Sequence, residues 1–209
     1  VLKSLAQGAR RVLGAQYSAV MTTAETPGVV EIRAVSGVPL QYLPIVEKVW
    51  GRLIVGARIT LSPQGLGPLS LAFFQKRDIF ITEWLADLAA FPGANLLWRT
   101  VSEALNVRAL WCLPLALSPA DEPLGLIVLG RTESQPPPSD DRDFAMVFAA
   151  QAALAVKSAR RYESEHDRRR VETQQRTLAE AQQQMAATTA PTSVTSALNW
   201  RCLSSARGG

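Results

Sequence analysis

A single histidine, His166, and two cysteines, Cys112 and Cys202, hold the imidazole and thiol chemistry open to this sequence of 209 residues. A zinc or catalytic-histidine site needs several ligands converging, or a nucleophile and a base held together. His166 stands in the charged stretch "SEHDRRR", with no second histidine and no cysteine or carboxylate cluster at metal-ligand spacing. It is expected to be solvated on a helix surface. Cys112 lies in the apolar run "RALWCLPLAL" and Cys202 in a polar tail, which makes no disulfide scaffold and fits a reducing compartment. Cys112 reads as a small buried hydrophobe. The acidic and basic residues form no paired constellation, and "PQGLGP" is a lone G-x-G between prolines, a turn rather than a phosphate loop. No nucleophile, base and oxyanion donor can be named together, so this chain is expected not to be an enzyme.

The elements that position these residues follow from composition and pattern. With 47% hydrophobic residues the chain supports one core plus an appendage. Its longest apolar stretches, such as 144–156, fall short of the roughly 20 residues that cross a bilayer, and no secretory signal opens it. A cytoplasmic protein without a membrane segment in this chain is expected, although the first residue is Val and a segment upstream stays open. The net charge of +4 belongs to the C-terminal part: residues 1–150 carry 13 Lys and Arg against 13 Asp and Glu. A neutral core argues against nucleic acid as a partner.

Residues 2–13 place Leu2, Leu5, Ala9, Val12 and Leu13 at helical spacing, with Gly14 as the stop. "AQYSAVMTT" and "GVVEIRAVSG" alternate on either side of Pro27-Gly28 and predict an antiparallel hairpin. Residues 39–51 read as a helix or irregular connection. "GARITLSPQG" predicts a short strand, 66–73 a helix, "IFIT" a brief strand, and 95–105 a helix closed by Asn106. Two strong strands, "RALWCLPLAL" and "LGLIVLGR", meet at a turn rich in Ser, Pro and Asp.

Ser139, as a cap, with Asp140, Asp141 and Asp143 then begins a helix that meets no Pro or Gly before Met185. Such a helix would be roughly 70 Å long, against roughly 40 Å for the diameter of a compact domain of this size, so it must leave the domain. Phe144, Val147, Phe148, Ala152, Ala155, Val156 and Ala159 are its expected packing face. Beyond Arg160, Val171, Gln174, Leu178, Ala181 and Met185 follow 3-4 spacing, a short seam of coiled-coil type. The sequence predicts a domain over 1–160, a helical stalk over 161–186 and a disordered tail over 187–209.

The order of these elements resembles a GAF domain over about residues 1–162. The resemblance is carried by "GAQYSAVMTT", by "IFITEWLAD" with Glu83 and Asp87 in acidic places, and by "VRALWCLPLAL…EPLGLIVLGR…FAMVFAAQAALAVKSARRY". There Pro114, Leu115, Gly125, Leu129, Gln151, Ala159, Arg160 and Tyr162 match. It implies an α+β fold of GAF/PAS-like (profilin-like) type: an antiparallel sheet with both terminal helices on one face, a ligand pocket or switch on the other, and a long exit helix. Phe73, Trp84, Trp98 and Trp111 fall in the segments that wall such a pocket, and Thr82 and Arg99 could supply its polar groups. The alternative is that these aromatics only fill the core.

The departures from the family's motifs narrow the cofactor. The helix before "RALWCLPLAL" has neither the Cys nor the His that carries a bilin, two separated cysteines do not fit a methionine sulfoxide reductase, and the cyclic-nucleotide motif is absent as a unit. Bilin, haem and metal are not expected, and the ligand is unnamed. What the resemblance implies is a sensory or regulatory module of a two-component or related signalling protein, such as a histidine kinase or a diguanylate cyclase. It would bind a small molecule, pair as a homodimer through its terminal helices, and relay to an output domain outside the sequence. The alternative is a ligand-free dimerisation and spacer module.

Overall fold

The computed structural model describes residues 1–42, 55–65, 67–82, 103, 105–118 and 120–189. Two compact units emerge, Val1–Tyr162 and Glu163–Gly209. The first is built on α1 (Leu2–Val12), β1 (Tyr17–Thr23), β2 (Val29–Ser36), a short 3-10 turn, β3 (Arg58–Thr60), α2 (Pro68–Gln75), β4 (Ile79–Thr82), β5 (Ala109–Pro114) and β6 (Gly125–Arg131). Helix α3 (Ser139–Thr189) follows and runs on into the second unit.

Local chemistry explains the boundaries. Gly14 takes φ +61 just past α1, while the Leu13 N–H donates to the Ala9 carbonyl at 3.0 Å. Gly28, at φ +72, turns β1 into β2, and Asn106, at φ +51, ends the helical turn that holds Glu103 and Leu105. α3 opens on two aspartates, Asp140 and Asp141. Ser139 is its first residue rather than its cap, and the Arg142 N–H donates to the Pro138 carbonyl.

The strands form one antiparallel sheet in the order β3-β2-β1-β6-β5-β4. The α+β class with a single antiparallel sheet is the expected one. Pro114, paired with Leu126, lies past the end of β4, whose register with β5 stops at Cys112. Its missing N–H therefore breaks no ladder bond to β4, and the next residue, Leu115, donates to the Gly125 carbonyl.

The sheet separates two cores. On one face Ala6 and Ala9 of α1 and Ala145, Ala149, Ala152, Ala153 and Val156 of α3 bury Val20, Trp111, Leu113, Ile127 and Leu129. Both terminal helices are thus on one face. The packing face of α3 is the expected one in part: Ala152 and Val156 are buried and Phe148 packs beside them, joined by Ala145, Ala149 and Ala153, whereas Phe144 and Val147 are 52% and 60% exposed and Ala155 is exposed as well. Alanine wins because it lets the helix axis approach the sheet closely, which turns the larger Phe144 and Val147 outward. On the opposite face α2 lays Leu69, Ala72 and Phe73 over Met21, Val30, Ile32, Cys112 and Leu126.

In the second unit α3 continues through exposed charge, including an i, i+4 pair between Arg176 and Glu180 at 3.2 Å. Val171, Leu178 and Met185 are large and exposed there. Among the described residues no helix is long and apolar enough to cross a membrane.

Candidate functional site

Strand alternation and pairing build the face opposite the terminal helices row by row. Val35, Ala19, Val128, Cys112 and Ile79 stand opposite one another across five neighbouring strands. Cys112 is fully buried, while the other four are partly open and pack against the α2-side core. This central row is made largely of short side chains.

Bulkier rows flank it. Ile32, Met21, Leu126 and Pro114 form one wall beneath α2. Phe73 of α2 belongs to this core, with the Phe74 ring edge-on to its own at 5.2 Å. The opposite wall follows the row of Tyr17, Gly130, Leu110 and Ile81. The Tyr17 ring lies over Gly130, where an added Cβ would come within 3.3 Å of it. Its hydroxyl donates to the Leu105 carbonyl at 2.9 Å, and burial, then the neighbouring Tyr42, pushes its pKa up.

In side-chain length these three rows describe a trough, with Ala19 and Cys112 low between longer neighbours, which α2 covers and which is apolar apart from one phenol. The Tyr17 oxygen, whose hydrogen is donated to Leu105, keeps lone pairs able to accept a hydrogen bond. Burial pushes the Cys112 thiol up to about 12, so it packs as a hydrophobe rather than acting as a thiolate nucleophile. Among the described residues no three His, Cys, Asp or Glu side chains come together in a metal-binding group.

The candidates taken from the sequence divide. Phe73 is on the trough face. Trp111, expected beside it, is on the other face, buried against the terminal helices, and its Nε1 donates to Asp78 Oδ2 at 3.1 Å. The reason is the two-residue period of β5, which turns Trp111 one way and Cys112 the other. Thr82 follows Phe80 by two residues, and Phe80 packs on the terminal-helix core; Thr82 itself is exposed at the end of β4. Trp84, Trp98 and Arg99 lie outside the described residues, as do Glu83 and Asp87.

Sequence reading passed over Tyr17, Ala19, Val128 and Cys112 as trough residues. Their signal was the register of three strands, which becomes visible once the hairpin and the β5–β6 pair are laid side by side. Two further anchors were also missed. The Arg142 Nε and Nη2 atoms donate to the Asp78 carboxylate at 2.7 and 2.9 Å. Arg160 reaches Thr23 and Leu124 where β1 ends and β6 begins.

A curled antiparallel sheet clamped by its terminal helices on one face and covered by α2 on the other defines an α+β sensor-type scaffold. The GAF domain family model matches residues 1–156, so the chain belongs to the GAF domain family. Among solved structures, the GAF domain of a phosphoenolpyruvate-protein phosphotransferase from Coxiella burnetii is 18% identical with a TM-score of 0.56, covering 78% of this chain and 84% of that one. The GAF domain of a two-component sensor histidine kinase from Bacillus halodurans is 15% identical with a TM-score of 0.55, covering 78% and 98%. A GAF domain/HD domain protein from Geobacter sulfurreducens is 17% identical with a TM-score of 0.54, covering 74% and 89%. At these identities the likeness is one of fold. No curated protein matches the sequence.

Proposed function

We propose that this chain is a non-catalytic sensory module of a cytoplasmic signalling protein, taking an uncharged, apolar small molecule into the trough beneath α2 and relaying its presence through α3. The observation that carries this reading is the central row, where Ala19 stands between Tyr17 and Met21 on β1 and Cys112 between Leu110 and Pro114 on β5. The family supports a regulatory role, and the similar structures come from proteins described as a sensor histidine kinase and a phosphotransferase. The output domain, of histidine kinase or diguanylate cyclase type, would follow the stalk. Pairing of two copies through α1 and α3 would hold two stalks together.

Native mass spectrometry of the full chain tests both halves of the proposal. A dimer carrying a stoichiometric extra mass, lost in Phe73→Ala, is the expected result. A dimer of bare chain mass that also takes up no molecule from a library of apolar metabolites leaves the trough as core and makes the module a dimerising spacer.

A further inference from the structure

Resting on that sensory reading, we propose that Arg160 is the positioning residue that passes the position of the trough wall to the exit helix. Its Nη1 donates to Thr23 Oγ1 at 3.0 Å, and its Nη2 to the Thr23 and Leu124 carbonyls at 2.8 and 3.4 Å. Bonds to two main-chain carbonyls register where the backbone is, whatever the side chains are. A planar guanidinium fixes direction as well as distance.

The strand ends it grips are short of play. The Thr23 N–H also donates to the Leu124 carbonyl at 2.9 Å, and the next paired residues are Thr22 with Gly125 and Met21 with Leu126. At Gly125 the two backbones are so close that an added Cβ would stand 1.9 Å from the Met21 carbonyl oxygen. Met21 and Leu126 form a wall of the trough, so a displacement of that wall must move Thr23 and Leu124 with it.

The helix meets the sheet through small side chains. Most of its buried contact with the sheet is made by alanines, with Val156 near the end, and their small side chains leave much of its register to polar ties. Arg142, tied to Asp78 at the start of β4, and Arg160 are 18 residues apart, five turns of about 3.6 residues, and so lie on one face. One tie reports the edge strand β4 and the other the β1–β6 junction. A shift between those strands would tilt or turn α3 just before the first unit ends at Tyr162.

Hydrogen–deuterium exchange on the full chain tests this without any ligand. Leu126→Val trims one methylene from the trough wall and touches nothing on α3. With Arg160 present, it is expected to raise exchange several-fold over Lys157–Arg170 as well as in β6. In Arg160→Lys, which keeps the charge and loses the fork, β6 should still respond and α3 should not. Thr23→Val, which removes the hydroxyl acceptor and leaves Arg160 in place, should weaken the helix response in the same direction and serves if Arg160→Lys does not fold. A helix response of equal size in wild-type and variant backgrounds, or none when Arg160 is present, overturns the proposal. Failure to find a ligand would overturn the sensory reading and leave this mechanical coupling as measured.

Discussion

The Asp78 carboxylate takes both Nε and Nη2 of Arg142, at 2.7 and 2.9 Å, and thereby fastens the first turn of the exit helix to the start of β4. Trp111 Nε1 completes the arrangement from β5 at 3.1 Å. Burial alone would raise the Asp78 pKa. The hydrogen bonds from Arg142 and Trp111, with the charges of Arg142 and Arg77, outweigh it and hold the carboxyl below the usual aspartate range. A carboxylate depressed in the folded state contributes stability that is fully present above its unfolded pKa of about 3.9, and that is lost as pH falls through the lower folded value. An acid titration followed by tryptophan emission should therefore show a step below about pH 3.9 that Asp78→Asn abolishes. Since Arg142 is 45% exposed, Asp78→Asn should cost about 1–2 kcal/mol in urea unfolding near neutral pH, at the low end for a bidentate charged pair. A titration with the same step in Asp78→Asn would assign that step elsewhere.

Gly125 tolerates no side chain. An added Cβ would lie 1.9 Å from the Met21 oxygen and 2.8 Å from Thr22 Cα, both backbone atoms that cannot rotate away. Gly125→Ala is expected to separate β1 from β6 in the middle of the sheet and to cost about 3 kcal/mol or more, a value reserved for backbone strain and broken ladders. Thermal unfolding followed by circular dichroism measures it. A melting temperature within a degree or two of wild type would show that the two strands part easily.

Cys112 should be silent until the protein unfolds. It is fully buried, and burial raises its thiol to about 12, so at pH 8 it offers neither access nor thiolate. In a Cys202→Ser background, a chromogenic disulfide reagent should titrate no thiol in the native protein and one after guanidinium is added. Rapid native labelling would mean that the trough opens down to its floor, which would itself bear on how a ligand enters.

Trp111 and Phe73 make opposite predictions because they face opposite ways. Phe73→Ala should remove retained ligand and cost about 3–4 kcal/mol of stability. Trp111→Phe keeps an aromatic ring against the terminal helices and loses the bond to Asp78, so it should cost about 1 kcal/mol and leave ligand retention unchanged. Isothermal titration with whichever molecule co-purifies distinguishes the two. Loss of binding in Trp111→Phe would return that residue to the site.

The contrast between these two aromatics shows what the sequence makes legible. Gly14, the Pro27-Gly28 turn and Asn106 announce their positions because each satisfies a local backbone requirement. The strands show by alternation, and the family resemblance orders them. Alternation alone gives two faces without saying which one the helices cover, so it could not separate Trp111 from Cys112. The exit helix was legible in part: Ala152, Val156 and Phe148 pack as expected, while hydrophobicity also favoured Phe144 and Val147 at positions that the close approach of the alanines turns outward. Ties such as Asp78 with Arg142, 64 residues apart, and Thr23 with Arg160, 137 apart, leave no trace in local spacing.

Val171, Leu178 and Met185 of the second unit are 52%, 63% and 63% exposed within one chain, at the spacing of a two-stranded seam. Leucine at the centre of such a seam loses its apolar contacts in a monomer and regains them against its twin. Sedimentation equilibrium of the full chain is expected to give a dimer, and Leu178→Lys should weaken association by more than about tenfold, or about 1.4 kcal/mol, through repulsion and lost burial. Phe144→Lys examines the apolar patch that α3 leaves uncovered in the first unit. If pairing runs along both parts of the helix, the two substitutions should each weaken the dimer and together abolish it. A wild-type monomer at tens of micromolar would remove the paired stalk from the signalling scheme, and any relay through Arg160 would then have to act on a single helix.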